Sequence, residues 1–128
     1  MNIEARGRLL YVGVVLSHHG RELTLRNVVL DTASSGTAFA ADVLSGFLLP
    51  QPTDTFDQVR GVGGYEQIVR THVDRLAVGE LAVNDLAIEI SAMDYGFELD
   101  GIIGLNFLMA TRAVIDLSRM ALEPGRSE

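Results

Sequence analysis

The 128-residue chain has no cysteine, no lysine and no tryptophan, and only three prolines. Without cysteine there can be no disulfide, no thiolate metal site and no cysteine nucleophile. Without lysine, all ten basic residues are arginines; they form no cluster and are outnumbered by 17 acidic residues. The resulting net charge of −7 and pI near 4.8 disfavour nucleic acid and anionic membrane surfaces as partners, since binding there rests on basic patches. Long apolar runs are missing too: the longest near the amino terminus, residues 9–16, falls far short of the ~20 residues that span a bilayer. No signal-peptide pattern opens the chain, so the expected location is cytoplasmic. Low-complexity tracts, solenoid repeats and a Gly-x-Ser-x-Gly elbow are also absent.

What is present is a composition 48% hydrophobic, with 13 glycines and a mean hydropathy of +0.24, suited to a well-buried fold with many tight turns. The length fits one domain, expected over residues 1–123 with a flexible tail at 124–128. Residues 9–16 are rich in β-branched side chains and stop at the polar segment Ser17, His18, His19, Gly20; residues 22–30 return, alternating at first and then continuously apolar, as a strand does on passing into the core. Residues 40–49 predict a short helix with Val43, Leu44 and Phe47 on one face, closed by Pro50 and Pro52. Two strand-like segments, 55–60 and 65–73, flank Gly61, Val62, Gly63 and Gly64 and read as a long hairpin with a mobile glycine tip. Further strands are predicted at 75–79, 81–90, 113–117 and 120–123, and a two-turn helix through 107–110.

The chemistry concentrates in two segments. Residues 28–36, Val-Val-Leu-Asp-Thr-Ala-Ser-Ser-Gly, are an apolar strand that delivers the carboxylate of Asp31 and the hydroxyl of Thr32 into a turn of small residues. On its own the hexapeptide at residues 31–36, Asp-Thr-Ala-Ser-Ser-Gly, is also an ordinary strand-end turn, where Asp, Ser and Gly bond locally. Far downstream, residues 100–108 read Asp-Gly-Ile-Ile-Gly-Leu-Asn-Phe-Leu, an apolar strand followed by a short helix.

Together these segments resemble the retropepsin-like aspartic peptidases, prokaryotic members in particular. The resemblance spans nearly the whole chain and implies an all-β fold: an acid-protease type closed β-barrel, mostly antiparallel, with one or two short helices. It implies an endopeptidase in which one carboxylate of a pair activates water while the protonated other polarises the scissile carbonyl. A single Asp-Thr loop supplies only one carboxylate, so the family's answer is a homodimer with the two Asp31 loops meeting across a two-fold axis. The implied site is Asp31, Thr32 and Ala33, with Thr32 bracing the opposite loop. Gly61, Val62, Gly63, Gly64 and Tyr65 would form the flap over an extended peptide substrate, and Ser34, Ile103, Gly104 and Asn106 would support the loop. No cofactor or metal is implied.

Ala33 departs from the family's usual glycine. Its methyl adds bulk where two loops approach and disfavours a positive φ, which leaves a catalytically silent, dimeric peptide-binding or assembly module of the same fold as the alternative. Asn106 would either satisfy loop backbone groups or cap the helix. A phosphate cradle at residues 61–64 fits poorly, because a strand pattern follows the glycines. Asp100 and Asp116 read as turn or surface acids. His18 and His19, in a hairpin turn with side chains expected to diverge, make a metal site improbable.

Overall fold

The computed structural model describes residues 2–48, 51–61, 64–93 and 98–125. Strands dominate (61%), and six of them close into a mixed barrel accompanied by two short helices. The strands are β1 (Ile3–Arg6), β2 (Leu9–His18), β3 (Arg21–Leu30), β4 (Thr37–Ala40), β5 (Thr55–Gly61), β6 (Gly64–Val78), β7 (Leu81–Ser91), β8 (Gly101–Ile103), β9 (Ala113–Asp116) and β10 (Ala121–Pro124); the helices are α1 (Ala41–Leu44) and α2 (Leu105–Ala110). No helix among the described residues is long and apolar enough to cross a membrane.

The barrel runs β2-β3-β8-β4-β7-β6 and closes where Val15, Leu16 and Ser17 of β2 pair with Ala77, Leu76 and Arg75 of β6. β1 and β5 are added outside, on β2 and β6. Two junctions are parallel, β3 with β8 and β4 with β7; the other four are antiparallel. The interior is filled by side chains with no solvent exposure, among them Val14, Leu16, Val28, Phe39, Val73, Leu76, Ile103 and Phe107. These alternate with outward residues along each strand, as a half-buried sheet requires.

The first hairpin turns on only two residues. His18 pairs with Arg21, and His19 and Gly20 both take left-handed backbone angles, φ 51° and 77°, which matches the twist of the flanking strands. Contrary to the expectation from sequence, the histidine rings do not diverge: His19, in the left-handed region, folds back and stacks on His18 with centroids 4.0 Å apart. Asp74 on β6 then clamps the turn, its amide donating to Nδ1 of His18 and its carboxylate accepting from the amide of His19. The donor atoms of His18, His19 and Asp74 all lie within 4.8 Å of one another. The two rings are nearly parallel, however, so their in-plane lone pairs do not converge.

Three further differences from the sequence reading have local causes. The helix expected over 40–49 covers only Ala41–Leu44, because Ser45 leaves the helical region and Gly46 is left-handed at φ 80°; Phe47 is still buried, its amide bonded to the Leu44 carbonyl. Segments 65–73 and 75–79 merge into one strand, β6, because Asp74 faces out without interrupting the ladder. β1 and β4 were not foreseen; at four residues each they are too short to show a period. Of the expected tail, Pro124 ends β10 and pairs with Ala113, while residues 126–128 lie outside the described residues.

Candidate active site

β3 carries Asp31 out of the core. Val28 and Val29 are buried, Leu30 is half-buried, and the three pair in parallel with Gly101, Ile102 and Ile103 of β8. The amide of Asp31 extends this ladder by donating to the Ile103 carbonyl at 3.0 Å. Ile103 itself is fully buried, so the Ile-Ile-Gly segment is the strand against which the catalytic candidate is aligned.

Local hydrogen bonds fix the carboxylate. Oδ1 of Asp31 accepts from the Ala33 amide at 3.0 Å and Oδ2 from the Ser34 hydroxyl at 2.7 Å; the Ser34 amide closes the turn on the Asp31 carbonyl. Both oxygens are thus oriented by donors within three residues. Asp31 is half-buried, and Thr32 and Ala33 are exposed, so the group faces outward. The non-glycine residues with positive φ are His19, Asp85, Met93, Arg112 and Met120 among the described residues. Ala33 is not one of them, so alanine fits this turn without backbone strain.

A second layer of bonds holds the loop from behind. The amides of Leu105 and Asn106, at the start of α2, donate to the carbonyls of Ser34 and Ser35 at 2.8 and 3.0 Å. Gly104 lies so close that a methyl group on it would stand 2.0 Å from the Gly36 carbonyl oxygen. The Gly104 amide donates to the hydroxyl of Thr37, which has no solvent exposure and which donates in turn to Oδ1 of Asn106 at 2.7 Å. The Asn106 amide group continues to the Ala87 carbonyl on β7, and Oδ1 also accepts from the Phe107 amide. Its side chain therefore ties β4 to β7, while its main chain meets the loop. Thr37 was not anticipated; the available signal was only a threonine at the end of a run of small residues.

The flap candidate is the β5–β6 hairpin. Gly61 pairs with Gly64 and Arg60 with Tyr65; Val62 and Gly63 of the expected tip lie outside the described residues. Tyr65 and Phe56 are exposed, at 71% and 74%. Lower on the hairpin, Arg70 donates to Asp57 at 2.8 Å. That hydrogen bond holds the Asp57 carboxyl below its ordinary range and pushes the Arg70 guanidinium up.

Neither flanking acid joins Asp31. Asp100 sits opposite Asn27, whose amide it accepts and to whose carbonyl its own amide donates; Asn27 is four residues back along β3, about 13 Å at the rise of a strand. Asp116 accepts from the Ser118 hydroxyl and the Arg119 amide, which lowers its pKa. Both are the turn and surface acids expected. Among the described residues, Asp31 is therefore the one carboxylate oriented on the loop that is bonded to the Ile-Ile-Gly strand.

The family model described as "Aspartyl protease" matches residues 15–107, well over half of the chain. The chain belongs to the aspartyl protease family. The matched stretch runs from within β2 into α2 and so contains the Asp31 loop, the β5–β6 hairpin and the Gly104 contact. The fold is that of the retropepsin-like branch: a crystal structure of a retropepsin-like aspartic protease from Rickettsia conorii superposes with a TM-score of 0.65 at 11% identity, over 88% of each chain. No curated protein matches the chain.

Proposed function

We propose that this member of the family is an aspartic endopeptidase that works as a homodimer. Asp31 of one subunit, ionised, activates a water molecule; Asp31 of the other, protonated, polarises the scissile carbonyl. The observation that carries this reading is the single oriented carboxylate, with donors from Ala33 and Ser34 on its two oxygens and an exposed Thr32 beside it. Two like charges about 3 Å apart cannot both ionise cheaply, so the pair shares one proton.

Substrate binds as an extended strand between the two loops and the two β5–β6 hairpins, which add main-chain hydrogen bonds and exclude water. Glycine at the hairpin tip and exposed Tyr65 suit that role. The silent alternative rested on Ala33, and the backbone argues against it: Ala33 has no positive φ, and its amide keeps the bond to the carboxylate.

The test is cleavage of a denatured protein or a peptide library from acidic to neutral pH, with analytical ultracentrifugation in parallel. Cleavage abolished by Asp31→Asn, in a variant that stays folded and dimeric, supports the reading. A strictly monomeric protein, or cleavage indifferent to Asp31→Asn, refutes it.

A further inference from the structure

At the end of the Asp31 loop a cavity of about 170 Å³ opens beside Gly36, with Arg70, Glu89 and Asn106 in its wall. Glu89 points at the loop: a methyl group on Gly36 would stand 3.0 Å from its Oε1, so it is the missing side chain at Gly36 that leaves the carboxylate open on this side. Glu89 is one-third exposed, and Arg70 Nε lies 3.8 Å from Oε2, beyond hydrogen-bond distance. Arg70 is instead engaged by Asp57 across the β5–β6 hairpin at 2.8 Å. The three charges sum to one negative, because Asp57 and Glu89 share the single guanidinium of Arg70.

The cavity's place in the fold says what could reach it. Gly36 and Thr37, at the end of the loop that begins at Asp31, line one side, and Arg70 of β6, at the base of the β5–β6 hairpin, lines another. An extended peptide crossing Asp31 advances about 3.3 Å per residue, and the five residues from Asp31 to Gly36 span at most about 17 Å. Gly36 is therefore within reach of an extended peptide bound across the Asp31 loop.

We propose that Glu89, backed by the Asp57–Arg70 pair, forms a subsite for a lysine or arginine side chain of the substrate. This rests on the peptidase reading above and adds a substrate class to it: extended peptides carrying a cation within about four residues of the scissile bond. A Lys or Arg head placed here supplies the second cation that two carboxylates sharing one arginine lack, while its alkyl stem lies along the cavity wall. The net charge of −7 also attracts basic peptides to the molecule.

The test uses the full chain and peptide sets in which each position within four residues of the cleaved bond carries lysine, norleucine or glutamate. The readout is the ratio of kcat/KM for the lysine peptide to that for the norleucine peptide, which does not depend on the fraction of active enzyme. Wild type is expected to show a ratio of about five at one position, the strength of a partly exposed ion pair. Glu89→Gln brings that ratio to about one, and Arg70→Gln, which removes the competing cation, raises it. Asp31-dependent cleavage with no lysine preference at any position, a preference that survives Glu89→Gln, or a ratio that does not rise in Arg70→Gln overturns the subsite and leaves the peptidase reading standing. Absence of Asp31-dependent cleavage across the whole set overturns both.

Discussion

Replacing Gly104 by alanine tests the packing that holds the candidate active loop. The added methyl would lie 2.0 Å from the Gly36 carbonyl oxygen and 2.8 Å from that of Ser34, against an ordinary separation of about 3.5 Å. Both obstacles are backbone atoms, so no side chain can rotate to make room and the loop or α2 must retreat by more than about 1 Å. That movement breaks bonds of ordinary length, Leu105 N–H to Ser34 and Asn106 N–H to Ser35. Two hydrogen bonds at about 1 kcal/mol each and an overpacking cost of about 2 kcal/mol are offset by about 0.7 kcal/mol from the stiffer unfolded chain. The expected net destabilisation is about 3 kcal/mol, or roughly 12 °C in Tm for a domain of this size. Gly13→Ala is the matched control. It meets nothing closer than the Leu25 carbonyl at 4.0 Å and has no positive φ, so its Tm should stay within about 3 °C of wild type. Thermal unfolding followed by circular dichroism measures both. If Gly104→Ala melts within about 3 °C of Gly13→Ala, the close approach of α2 to the Asp31 loop is wrong.

Thr37→Val keeps the shape of the side chain but strands the buried Gly104 amide and removes a bond to Asn106, so it should cost about 2–3 kcal/mol; Thr37→Ser keeps the hydroxyl and should cost about 1 kcal/mol. Equal chemical denaturation midpoints for the two variants would refute the bridging role. Ser34→Ala removes the donor to Oδ2 of Asp31 and should lower kcat/KM about tenfold, with a Tm above that of Gly104→Ala; unchanged steady-state kinetics would show that the hydroxyl does not orient the carboxylate. Burial lowers the His18 pKa from its ordinary 6.5, overcoming the opposing pull of the Asp74 charge. The folded state therefore favours neutral imidazole. The stability this confers is complete above pH 6.5 and is lost as pH falls through the lower folded value. Tm measured between pH 8 and 5 should fall more steeply for wild type than for His18→Gln, and parallel curves would count against a titrating His18.

The parts of this molecule legible in its sequence were those with a period or a chemical signature. Residues 22–30 announced a strand entering the core by shifting from alternating to continuous apolar character, and the barrel buries Val28 and Val29 accordingly. Asp31 and the Ile-Ile-Gly segment could be paired through a family resemblance, and they are joined by the bond from the Asp31 amide to Ile103. What stayed hidden depends on contacts between distant residues. Thr37 matters because Gly104 and Asn106 arrive 67 and 69 residues later, and no local pattern encodes that meeting. The left-handed His19 that stacks one histidine on the other is likewise set by the two-residue hairpin. Glu89 looked like any outward residue of a half-wet strand until the parallel pairing of β4 with β7 set it beside Ala38, near the end of the Asp31 loop.

One consequence follows from how the Asp31 turn is anchored. Its grip on α2 runs through peptide atoms: the carbonyls of Ser34 and Ser35 to the amides of Leu105 and Asn106. Such a scaffold is indifferent to which side chains those two serines carry, provided they stay compact. Geometry and reactivity are therefore inherited separately here. Position 34 or 35 can be rewritten to retune how the acid reacts while the frame that aims it persists.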